Sequence, residues 1–71
     1  MVTARKTFEE NGYRLEQADN DSVMYATGYG RYVEYITFDN LSKEVFIGVT
    51  NCKPGVIRAI YKQCSEMGWY K

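Results

Sequence analysis

Between Ser22 and Thr50 the chain carries three runs in which aromatic and β-branched residues alternate with smaller or polar ones, each run bounded by turn-forming residues. This is the pattern of pleated strands, whose successive side chains leave opposite faces. Ser22 to Thr27 sets Val23 and Tyr25 against Met24 and Ala26, and Gly28-Tyr29-Gly30 then offers two freely rotating positions for a reversal. Arg31 to Phe38 places Tyr32, Glu34, Ile36 and Phe38 on one face and Val33, Tyr35 and Thr37 on the other. After the turn Asp39-Asn40-Leu41-Ser42-Lys43, Glu44 to Thr50 sets Val45, Ile47 and Val49 against Phe46 and Gly48. Connections this short join antiparallel neighbours, so a meander with the second strand central is expected.

Helical signals flank the meander. Thr3 to Asn11 reads as a short helix with Thr3 as N-cap, Ala4 and Phe8 one turn apart, and Asn11-Gly12 as a left-handed stop. Tyr13-Arg14-Leu15 continues in extended form toward the polar break Ala18-Asp19-Asn20-Asp21. Pro54 to Met67 reads as an amphipathic helix: Val56, Ile57, Ile60, Cys64 and Met67 recur at helical spacing, and Gly68-Trp69 supplies a cap with its hydrophobic contact. The expected fold is α+β, in the order α-β-β-β-α, a three-stranded antiparallel meander with two helices packed on one face. At 71 residues without repeats or linkers, positions 1–71 read as a single domain.

Composition narrows the chemistry. There is no His, which removes the commonest general base and metal ligand. Cys52 and Cys64 match no zinc spacing and read as two free thiols. Asp19-Asn20-Asp21 lacks the Gly and terminal Glu of a calcium loop, and Gly28-Tyr29-Gly30 is not followed by the Lys-Ser/Thr of a phosphate loop. No nucleophile and base can be paired, so no catalytic residue, metal or cofactor is assigned, and a non-enzymatic role is expected. Met1 to Lys6 contains no apolar h-region, and no apolar run is long enough to span a bilayer; a cytoplasmic location is expected.

Two helices on one sheet face leave the other face uncovered by this chain. With Ile36, Phe38, Val45, Ile47 and Val49 as the more aliphatic core set, Arg31, Val33, Tyr35, Thr37 and Phe46 point outward. Arg31, Val33, Tyr35 and Phe46 have interface composition, and a small domain buries little surface of its own. Seven Tyr add rigid contact area with polar tips. A protein partner is therefore expected: a second copy in a homodimer, a host protein, or both.

The zero net charge is a cancellation. Residues 1–52 hold five basic and eight acidic side chains, and residues 53–71 hold four basic and one acidic, giving −3 and +3. The positive end comprises Lys53, Arg58, Lys62 and Lys71. Nucleic-acid contacts through Arg5, Lys6, Lys53, Arg58 and Lys62 are the alternative.

Two resemblances bear on these readings. The order α-β-β-β-α over about seventy residues is similar to the double-stranded RNA-binding domain, which opens its second helix with a basic cluster. Lys53-Pro54-Gly55-Val56 offers one Lys there. Phe8-Glu9-Glu10-Asn11-Gly12-Tyr13, Ile36-Thr37-Phe38-Asp39 and Ala59-Ile60-Tyr61-Lys62-Gln63-Cys64-Ser65-Glu66-Met67-Gly68-Trp69 resemble a family of small uncharacterised proteins of phages and prophages of Gram-positive bacteria. That resemblance implies a phage accessory protein in the host cytosol that binds, and inhibits or modulates, a host protein.

Overall fold

A computed structural model describes residues 3–70; Met1, Val2 and Lys71 lie outside the described residues. Helix α1 spans Ala4–Glu10 and is capped by Thr3, whose Oγ1 accepts from the Lys6 amide at 3.1 Å. Asn11 and Gly12, the latter at φ +86°, end it. Strands β1 (Arg14–Ala18), β2 (Ser22–Thr27), β3 (Glu34–Asp39) and β4 (Glu44–Gly48) follow, and helix α2 (Pro54–Glu66) closes the chain. The sheet order is β1-β2-β3-β4, each neighbour antiparallel.

The sheet thus has four strands rather than three. The additional strand, β1, is masked in the sequence because its five residues, Arg-Leu-Glu-Gln-Ala, hold one large aliphatic side chain and because a bulge breaks its period. Leu15 pairs with Tyr25 and Gln17 with Met24, so Glu16 is an extra residue that resets the alternation. The turn into β2 is closed by Asp19, whose Oδ1 accepts from the amides of Asp21 and Ser22 at 2.8 and 2.9 Å. Those two bonds hold the Asp19 carboxyl below its ordinary range.

A second correction concerns the start of β3. The segment read as a strand from Arg31 begins instead with a 3-10 turn over Gly30–Tyr32, and pairing starts at Glu34. Gly28 and Gly30 both take positive φ, +83° and +61°, and a Cβ on Gly28 would lie 2.7 Å from the Tyr32 carbonyl oxygen. The turn therefore folds back on Gly28 too closely for any other residue. Tyr32, expected beside Ile36 and Phe38, is 78% exposed as a result.

Both helices cover the face that carries Tyr25, Ile36 and Phe38, cross-strand neighbours that share one side of the sheet. Phe8 of α1 stacks on Tyr25 with centroids 3.9 Å apart and meets Phe38 edge-on at 6.1 Å. From α2, Val56, Ala59 and Cys64 join this cluster, and Trp69 beyond the Gly68 cap packs on Phe38 at 6.3 Å. The helices touch closely where Gly55 meets Asn11: a Cβ there would lie 2.5 Å from the Asn11 side chain. Ile36 and Phe38 are fully buried as expected, but Ile47 is 53% exposed. It shares their face, yet it sits on edge strand β4, where helix cover runs out.

Candidate functional site

The uncovered face of the sheet is ordered by cross-strand register. One row runs Arg14, Ala26, Tyr35, Gly48; the next runs Gln17, Met24, Thr37, Phe46. Ala26 is fully buried between Arg14 and Tyr35 in its row, whereas Tyr35 and Phe46 are 40% and 54% exposed. Gly48 opposite Tyr35 has no side chain to shield the ring.

The residues expected at this interface are only partly brought together. Tyr35 and Phe46 lie diagonally on adjacent strands of the outer face. Arg31 is exposed in the 3-10 turn and Val33 is half-buried at the loop's end, so neither belongs to the ladder. The arginine on the outer face is instead Arg14, at the β1 end of the Tyr35 row. Its Nη1 donates to the Gly28 carbonyl at 2.8 Å, and its guanidinium lies over the Tyr29 ring, 4.8 Å from the centroid. A cation held over an aromatic face gives the patch a polar rim. Arg14 escaped the sequence reading with β1 itself; Met24 was legible, since it alternates with Val23 and Tyr25.

The fold carries the basic residues of the nucleic-acid alternative on its two helices, with Arg58 and Lys62 one turn apart on α2. The Arg5 Nε pairs with Glu9 at 3.3 Å. The Lys62 Nζ donates to Thr7 Oγ1 at 3.4 Å across the helix pair. Lys53 caps α2 nine residues from Lys62, roughly 13 Å along the helix axis. Lys6 and Arg58 are exposed, on α1 and α2 respectively. Lys71 falls outside the described residues.

A cleft of about 200 Å³ opens beside the start of α2, lined in part by Tyr13, Thr27, Glu34, Thr50 and Lys53. Its lining carboxylate is already engaged: Glu34 Oε2 accepts from the Thr50 amide at 3.0 Å and from Thr50 Oγ1 at 2.6 Å. Burial raises the Tyr13 phenol, with Cys52 and Glu34 adding to the effect. The Thr27 hydroxyl is spent on the Gly12 carbonyl at 3.0 Å. These groups brace loops against one another. Cys52 is exposed and Cys64 buried, both as free thiols, and no cluster of three metal-ligating side chains occurs among the described residues. Among those residues no helix is long and apolar enough to cross a membrane.

Comparison of the chain with protein-family models, curated proteins and solved structures finds no match.

Proposed function

We propose that the chain is a non-enzymatic protein-binding module whose working surface is the outward face of the sheet, centred on Tyr35 and Phe46. The observation that carries this reading is one-sided cover. Both helices pack on the face of Tyr25, Ile36 and Phe38, so the opposite face keeps two aromatic rings 40% and 54% exposed on rigid strands. Rigid aromatic anchors ringed by polar groups are the composition of binding hot spots. Thr37 stands opposite Phe46 and two residues from Tyr35, Met24 flanks Thr37 on β2, and Arg14 over Tyr29 forms the rim. The resemblance to phage accessory proteins supports a host protein as the target, with inhibition or modulation as the outcome.

The test uses Tyr35→Glu with Thr37→Lys, both on inner strand β3. Tagged wild-type and variant chains, each verified as folded by circular dichroism, are used for quantitative capture from Gram-positive bacterial lysate. A protein retained by wild type and lost from the variant supports the reading. Capture profiles that do not differ overturn it.

A further inference from the structure

The two edges of the sheet are built differently. Edge strand β1 carries Arg14 and Glu16, joined at 3.6 Å, and a bulge at Glu16. Charge and a bulge are the usual means of keeping an edge from pairing with another chain. Edge strand β4, Glu-Val-Phe-Ile-Gly, has one charged residue, no Pro and an unbroken register with β3. It is the unguarded edge.

Hydrogen-bond parity shows what this edge offers. The Asn40 amide donates to the Asp21 carbonyl at 2.8 Å, which makes 21 and 40 a hydrogen-bonded pair, and alternation gives the same to 23–38 and 25–36. The residues of β3 bonded toward β4 are then Tyr35, Thr37 and Asp39, whose partners are Gly48, Phe46 and Glu44. Val45 and Ile47 consequently direct their N–H and C=O groups away from the sheet.

The apolar surface continues on both sides of that edge. Phe46 lies on the outer face, and Ile47, 53% exposed, lies on the helix side. Helix α2 meets α1 through Gly55, Lys62 and Glu66, whose Oε2 accepts from the Ala4 amide at 2.7 Å. Ile57 is half a turn around from Glu66, on the flank of α2 away from α1, and α1 is the helix that packs on β1 at the other edge of the sheet. Ile57 is 58% exposed there, and Tyr61, stacked on Tyr70 at 5.0 Å, extends the surface.

We infer that β4 pairs antiparallel with β4 of a second copy about a two-fold axis at Phe46, joining two sheets into one of eight strands. The inference rests on the protein-binding reading and assigns the edge its own partner. Strand β4 is self-complementary in this register. Val45 exchanges bonds with Ile47 of the other copy, Phe46 faces its equivalent, and Glu44 falls opposite the side-chain-free Gly48. The two Glu44 carboxylates stay four residues apart, roughly 13 Å. Exposed surface on Phe46, Ile47, Ile57, Tyr61 and Tyr70, with aromatic side chains of order 200 Å² each, amounts to roughly 500 Å² per copy. Burial of that surface, which is the most these side chains can contribute, supplies the greater part of the ~800 Å² per partner of a standard interface, and the strand backbone adds to it.

The full chain is examined by sedimentation equilibrium and by oxidative cross-linking of Phe46→Cys in a Cys52→Ser background. Equivalent residues at a non-hydrogen-bonded pair lie about 4.5 Å apart, within disulfide reach. Expected are a wild-type dimer, a cross-link at position 46, and none for a Leu41→Cys control. Ile47→Pro deletes an outward N–H without touching the ladder to β3 and is expected to weaken association on the order of a hundredfold, as edge bonds and Ile47 burial are lost in both copies. A wild-type chain that stays monomeric at hundreds of micromolar overturns the inference. So does a dimer that gives no cross-link at position 46 and is broken by Tyr35→Glu. In either case the protein-binding reading is judged separately by lysate capture with the β3 variants.

Discussion

The hydroxyl of Tyr25 donates to Oε1 of Gln63 at 2.7 Å, tying the middle of β2 to α2 inside the core. Tyr25 is 2% and Gln63 7% exposed, so neither group has ready recourse to water. Tyr25→Phe leaves the Gln63 carbonyl buried without this donor and is expected to cost about 1–3 kcal/mol in urea unfolding. Adding Gln63→Leu removes the stranded acceptor, and the double variant is expected to recover most of that loss. A double variant no better than Tyr25→Phe refutes this account.

Burial, reinforced by the Glu66 carboxylate, pushes the Tyr25 phenol up to about 12, whereas an unfolded chain titrates near 10. The folded state therefore keeps its proton where the unfolded state has lost it. This contribution is intact below pH 10 and declines as pH rises from 10 to about 12. Wild type is expected to lose more stability than Tyr25→Phe across that window, measured as the difference between their urea midpoints. Parallel curves for the two proteins count against it.

Gly28 and Gly12 both hold positive φ, but only Gly28 has backbone against it, the Tyr32 carbonyl oxygen 2.7 Å from an added Cβ. Gly12→Ala meets open space and is expected to cost about 1 kcal/mol in left-handed strain alone. Gly28→Ala must also displace the 3-10 turn, so its thermal midpoint is expected to fall further. Equal midpoints would falsify the close approach as a constraint.

Trp69 Nε1 donates to Asn40 Oδ1 at 2.8 Å while the indole packs on Phe38, pinning the end of the chain to the β3–β4 turn. Asn40→Ala is expected to destabilise by about 1 kcal/mol. As Trp69 is the single tryptophan, fluorescence reports this contact directly, with an expected shift to longer wavelength. An unchanged spectrum rules out the pinning role.

Much of this architecture is carried by local chemistry. Thr3 and Gly12 mark the ends of α1, and Pro54 and Gly68 bracket α2, because caps and left-handed stops depend on neighbours a few residues away. The alternation over β2 and the later part of β3 likewise reports which side chains share a face, and Ile36 and Phe38 lie in the core accordingly. Tyr35 and Phe46 were legible as outward residues for the same reason.

Tertiary structure alone decided the rest, since it depends on pairings that no short window of residues contains. Strand β1 exists because β2 offers it a ladder: Arg14, Glu16 and Gln17 show no apolar alternation, and the bulge erases what period remained. Arg31 lies off the sheet because the return of the 3-10 turn onto Gly28 is set by a contact between positions 28 and 32. Ile47 has the residue type of a core position and a place beyond the helices' reach. Periodicity assigns a side chain to a face. Only the packed molecule determines whether anything covers that face, and here the residues left uncovered, Tyr35, Phe46 and Ile47, lie on the strands next to the open edge.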